Sequence, residues 1–145
     1  MDRGLAVILM ALVGGLIALQ PAVNAGLGKE TGGLGAALVS FVVGTILLAV
    51  LVGVSGQADR LGGSFDVEWY YLIGGLLGAA YVFAALETVG SIGAGGVAAA
   101  TITGQLTASL LLDKLGVLGL SEVPVTWDRV LGVALLLAGT FLVVR

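Results

Sequence analysis

Cysteine and histidine are both missing from the sequence, proline occurs only twice, and six basic residues stand against nine acids. Each shortage closes a class of function. Without thiols there is no disulfide framework and no thiol nucleophile; without imidazole there is no side chain that ordinarily titrates near neutrality, and hardly any zinc site can be built. No Ser/His pair, close carboxylate pair or metal-ligating constellation replaces them, so no enzyme, metal or cofactor is expected. With acids in excess, no nucleic-acid partner is expected. Charged residues are only 10% of the 145, too few to clothe a water-soluble domain of this size.

What is present is hydrocarbon and glycine: 59% hydrophobic residues, 25 glycines and a mean hydropathy of +1.16. The solvent implied is a lipid bilayer. A hydrocarbon core of about 30 Å takes about 20 apolar residues per helical crossing, and five windows qualify: 5–25, 34–54, 69–89, 92–112 and 129–144. The expected fold is an all-α integral membrane protein, one transmembrane domain over 1–145 with five helices and no internal sequence repeat. The first window is long enough to span and is preceded by Arg3 beside Asp2, so it reads as a retained helix, not a cleaved leader.

An odd number of crossings puts the chain ends on opposite faces. On the face of Met1, called side A, the connectors are "SGQADRLGGSFDVE" and "DKLGVLGLSEVPVTWD"; on side B they are "GKETGG" and "GSIGAGG". Arg3, Arg60, Lys114 and Arg129 fall on side A, Lys29 and Arg145 on side B. The positive-inside rule places side A in the cytoplasm, by a difference small enough to permit both insertions. Trp69 and Trp127 begin helices on side A, where indole rings settle at headgroup level.

Within the windows, small residues recur at four-residue spacing, as helices need when close backbone approach must replace a hydrophobic driving force. The fourth window carries Gly96, Ala100, Gly104 and Ala108, the first Gly14, Ala18, Ala22 and Gly26, the second Ala36, Ser40 and Gly44. These are expected to be packing stripes. Polar residues say more, because an unsatisfied polar group in hydrocarbon costs several kcal/mol. Gln105 lies near the middle of the fourth window, with Thr101 one turn before and Ser109 one turn after, a seam expected to face the bundle interior or a cavity. Glu87, near the side B end of the third window, reads as an interfacial carboxylate reaching water.

The first window contains "LIALQPAVNAGLG". Pro21 cannot donate to the carbonyl of Ile17, so the helix is expected to kink there. Gln20 and Asn24, at i and i+4 around it, present carboxamides beside a freed carbonyl. Transporters line substrate paths with such broken helices.

Together "ALQPAVNAGLG", "SFVVGT", "GGLLGAAYVF" and "GQLTASLLLDKLG" resemble the YdcZ-like branch of the drug/metabolite transporter superfamily over essentially the whole chain. The resemblance rests on Gln20-Pro21-x-x-Asn24 and on Gly104-Gln105 followed by Asp113. It implies a bacterial inner-membrane protein forming half of an inverted-repeat, ten-helix transporter, completed by a second copy, a related chain or a fusion. Small multidrug exporters of the superfamily couple to protons through a glutamate in their first helix; this chain has no acid there beyond Asp2, which argues against that route.

The function expected is small-molecule transport, in the export direction, by alternating access in an antiparallel homodimer. The substrate is unidentified, and its path is lined by Gln20, Asn24, Tyr81, Thr101 and Gln105. Two alternatives differ in class: a dual-topology dimeric channel, which would pass ions without saturation or exchange, and a membrane scaffold subunit, which would move nothing.

Overall fold

The computed structural model describes residues 2–117 and 122–145, and they are helical almost throughout, with no strand. Part of the second side A connector therefore lies outside the described residues. The elements are α1 (Arg3–Ile17), α2 (Gln20–Val54), two 3-10 segments (Ala58–Phe65 and Trp69–Ile73), α3 (Gly74–Leu115) and α4 (Trp127–Val144). Three stretches are long and apolar enough to cross a membrane: Gly4–Val54, Trp69–Leu115 and Trp127–Val144.

α1 starts where the Asp2 side chain accepts a hydrogen bond from the Leu5 N–H, filling one of the donor vacancies of a helix N-terminus. It ends at Ile17, and Ala18 and Leu19 form a turn before α2 resumes at Gln20. The Leu19 N–H reaches only the carbonyl of Leu16, at 3.1 Å, a tightened last turn. Pro21 sits at the second position of the new helix, within the first turn, where no intrahelical partner awaits its missing N–H.

α2 and α3 are each interrupted by one residue. Gly32 has φ 72° and ψ 163°, and Gly93 has φ 71° and ψ 166°, a backbone region essentially reserved for glycine. The connectors expected over "GKETGG" and "GSIGAGG" therefore shrink to a single non-helical residue each, because such a glycine redirects the chain at once. Around Gly32 the result is a hairpin: Asn24 bonds Ser40 and Gly28 faces Ala36, pairs equally spaced on either side of the turn. Thr31 closes the first arm by donating to the Leu27 carbonyl at 3.1 Å.

The chain divides into two compact units, Met1–Leu19 with Thr88–Arg145, and Gln20–Glu87. In Gln20–Glu87 the core is built of Ala36, Ala37, Val82 and Leu86, with Leu27, Phe41 and Tyr81 against it. Residues 33–54 and 74–87 run antiparallel, as Gly33 meets Glu87 and Gly78 meets Phe41. A methyl on Gly78 would stand 3.3 Å from Phe41 Cζ, so the glycine is what lets the ring lie against the helix.

In the other unit, residues 94–115 and α4 are antiparallel, joined by Asp113 to Arg129 near one end, Thr103 to Thr140 midway and Gly96 to Val144 at the other. Elsewhere large apolar side chains point outward, among them Leu12, Leu34, Leu76, Leu135 and Leu142. In water such a surface would aggregate; in a bilayer it is the ordinary solvent contact. Trp69 and Trp127 are exposed, as interfacial rings are, and Trp69 stacks edge-on to Tyr70.

Candidate functional site

The helix break at Ala18 and Leu19 delivers Gln20, Pro21 and Asn24 into the unit formed by Gln20–Glu87. Asn24 is 4% exposed. Its Oδ1 accepts a hydrogen bond from the Ser40 Oγ at 3.1 Å, while its Nδ2 is buried with no partner. A carboxamide carries two donors, so half of its hydrogen-bonding capacity is unused where water cannot supply the rest. Leaving a buried donor unpaired costs roughly 1–3 kcal/mol, and nothing in the helix geometry requires an asparagine here.

The same unit holds a cavity of about 210 Å³ lined by Gln20, Ser40, Phe41, Gly44, Thr45 and Leu48. Gln20 stands one turn before Asn24, and Ser40 is the residue bonded to it, so Asn24 holds one residue of the cavity's polar wall and neighbours another without itself lining it. Tyr81 is half-buried in the same unit, packed on the Ala36/Val82/Leu86 cluster. Of the residues expected on the path, Gln20, Asn24 and Tyr81 thus fall in this unit.

Thr101 and Gln105 belong to the other one. Thr101 is half-buried, and Gln105 is exposed on the outside of the chain together with Ala100, Gly104 and Ala108; Gly96 is buried. Of the stripe's two glycines, Gly96 packs within the chain, where a methyl would stand 3.3 Å from Val144 Cγ2, whereas Gly104 has nothing within 4 Å. Midway along this unit the polar contact is Thr103, 5% exposed, whose hydroxyl lies 2.7 Å from that of Thr140 and 2.9 Å from the Ala99 carbonyl. Two apolar grooves of about 460 and 490 Å³ flank α4, the first along Ala99, Leu136 and Val143, the second along Ala100, Leu137 and Phe141. Thr140 lines both, its hydroxyl taken up by Thr103 and the Ala99 carbonyl, and Arg145 lies at the end of the second; the remaining walls are apolar.

Sequence reasoning missed Ser40, Thr103 and Thr140. Ser40 was visible at the position of a packing stripe, where its size hid its hydroxyl. Thr103 is two residues from Thr101, about 200° around the helix, and the choice between them depended on knowing which face α4 covers. Glu87 is exposed, and a carboxylate oxygen occupies the place where a Gly33 Cβ would go, with Phe83 alongside. Arg129 pairs with Asp113, and the other nitrogen of its guanidinium is buried without a partner. Among the described residues no cluster of acids could hold a metal ion.

Comparison with known proteins bears on what this arrangement is for. The family model described as "Putative inner membrane exporter, YdcZ" matches residues 5–142. The protein described as Inner membrane protein YdcZ, of Escherichia coli strain K12, is 30% identical over 114 residues, covering 76% of this chain and 74% of the relative. No solved structure matches the chain.

Proposed function

The chain belongs to the YdcZ family, whose members are multi-pass proteins of the inner membrane, and from that premise we propose that it is one half of a small-molecule exporter working by alternating access as an antiparallel homodimer. The observation that carries this reading is the buried Asn24 at a broken helix, its amide nitrogen unpartnered and its oxygen bonded to Ser40 of the cavity wall. Such a group costs stability in every molecule of the protein, and recognition of a passing solute is a function that offsets the cost.

Length supports five crossings. The 51 residues of Gly4–Val54 would extend about 77 Å at 1.5 Å per residue, more than twice a bilayer core. The turn at Gly32 makes two crossings of them. Gly93, with the same backbone angles, does so for Trp69–Leu115, and α4 is the fifth.

An odd count with few basic residues favouring either side suits insertion in both orientations. Gln105, Gly104 and Ala100, exposed on the single chain, are a face that hydrocarbon solvates badly and a second copy would cover. Antiparallel pairing is favoured over parallel because two identical halves related by an axis in the membrane plane exchange roles between inward-open and outward-open states.

The test is flux from liposomes loaded with a broad panel of small metabolites. Protein-dependent loss that saturates and shows counter-exchange is the expected result. Unsaturating ion currents would identify a channel instead, and movement of nothing would identify a scaffold.

A further inference from the structure

Between Gly4–Val54 and Trp69–Leu115, both long and apolar enough to cross a membrane, runs a connector that is less polar than a loop in water would be. Its first 3-10 segment, Ala58–Phe65, leaves Leu61 59% and Phe65 91% exposed. Val67 is exposed after them, and so are Trp69, Tyr70, Tyr71 and Leu72 in the second 3-10 segment. Neither segment buries a residue in the protein.

A 3-10 helix has three residues per turn, so residues three apart are eclipsed. In Ala58–Phe65 one row carries Ala58 and Leu61, the next carries Phe65, and the third carries Arg60 and runs on into Asp66. Ser64, on the row of Leu61, donates to the Leu61 carbonyl at 2.7 Å and so asks little of water. Asp59 shares the row of Phe65 but lies two turns away, about 12 Å, in the first turn of the segment, where the helix dipole favours an acid. Two adjacent rows thus present apolar side chains and the third presents charge.

Geometry and continuity decide what covers the apolar rows. The segment is a rod of about 16 Å at 2.0 Å per residue. Standing upright, it would lift Phe65 out of reach of Trp69, because the link of residues 66–68 spans at most about 14 Å when fully extended. It must lie down. Its apolar side then continues into Trp69 and Leu72, where the next apolar stretch begins and lipid is already the solvent. Asp59, Asp66 and Glu68 outnumber Arg60 in this connector, so anionic headgroups would repel it.

We propose that Ala58–Phe65 lies flat on the bilayer as an interfacial segment whose partner is the boundary between zwitterionic phospholipid headgroups and their acyl chains, with Leu61 and Phe65 inserted and Arg60 and Asp66 turned to water. This goes beyond the exporter reading and is independent of it. It requires only that the chain cross the membrane on both sides of the connector.

Because the chain has no cysteine of its own, a spin label can be placed at one position at a time from Ala58 to Asp66, in protein reconstituted into phosphatidylcholine vesicles. Collision of each label with oxygen, which concentrates in lipid, and with a nickel chelate, which stays in water, is read by electron paramagnetic resonance. The oxygen-to-nickel ratio is expected to peak at Leu61 and Phe65 and to be at least about threefold lower at Arg60, Gly63 and Asp66. High nickel contact throughout, high oxygen contact throughout, or exclusion of both at Leu61 and Phe65, as a covering second copy would produce, each overturns the proposal. Replacing half the lipid by phosphatidylglycerol should not raise the ratio at Leu61 and Phe65; a rise would overturn the assignment to zwitterionic headgroups. A second readout needs no label. In a chain carrying Trp69→Phe and Trp127→Phe, the fluorescence of Phe65→Trp should be quenched about twofold more by bromine near the headgroup than by bromine at the chain ends, and the reverse order or no quenching overturns the proposal.

Discussion

Removing the Ser40 hydroxyl should damage the protein more than removing the whole Asn24 carboxamide. Ser40→Ala deletes the side-chain bond that Asn24 makes among the described residues, 3.1 Å long, and leaves a residue 4% exposed with both ends of its amide unpaired. A newly orphaned buried polar group costs about 1–3 kcal/mol. Interhelical bonds in bilayers average nearer 0.6 kcal/mol because the unfolded chain in lipid also finds partners, so about 1 kcal/mol is expected. Asn24→Leu removes the same bond but also the unpartnered Nδ2, and these effects nearly cancel. The double variant should then resemble Asn24→Leu alone, giving a coupling of about 1 kcal/mol between two residues sixteen apart in sequence. The measurement is reversible unfolding in mixed micelles by increasing the anionic detergent fraction, read by tryptophan fluorescence. If Ser40→Ala is neutral, or the two substitutions add within about 0.3 kcal/mol, the bond does not join the arms of the hairpin and the reasoning from it fails.

Other expectations come from the turns and the outward face. Gly32→Ala and Gly93→Ala force a side chain into a glycine-only backbone region and should each cost about 1–3 kcal/mol, while Gly132→Ala, in a regular helix with nothing within 4 Å, should stabilise by about 0.4–1 kcal/mol; equal effects at the three sites would show that the turns are not strained. Gln105→Leu should leave the protein inserted and dimeric but stop transport, and wild-type flux would make Gln105 a bystander. Glu87→Gln should keep most activity, so loss of pH-dependent transport in that variant alone would make Glu87 the proton carrier. A cysteine at Ser64, in a chain with none of its own, should be reached by a membrane-impermeant thiol reagent from outside intact cells in about half the molecules; labelling of nearly all or nearly none would mean one fixed orientation.

The helical, membrane-embedded character was legible because composition alone excludes water as the solvent, and the break near Pro21 because a proline inside an apolar run has a local mechanism. The turns were less so. "GKETGG" and "GSIGAGG" hold several glycines each, and only the backbone shows that Gly32 and Gly93 turn the chain while their neighbours stay helical. Gln20 and Asn24 were legible as polar residues in hydrocarbon. That Ser40 completes their cluster was not, because the pairing of 24 with 40 is a consequence of where the turn falls. Exposure of Gln105 likewise depends on which face of residues 94–115 meets α4, a choice made by the Thr103–Thr140 contact.

The turn at Gly32 has a mechanical implication. With one residue joining them, the arms of the hairpin are pinned together at that end, and any separation between them must grow with distance from the pin, as in a pair of tweezers. Leu48, on the cavity wall, lies sixteen residues from Gly32, a lever of about 24 Å. Splaying the arms by about 5° would shift that wall by roughly 2 Å, about two-thirds the width of a water molecule, while the backbone at the pin hardly moves. Small angular changes would thus set the girth of solute admitted, and a bulkier residue at Gly28 or Ala36, close to the fulcrum, would prop the tips apart without touching the cavity.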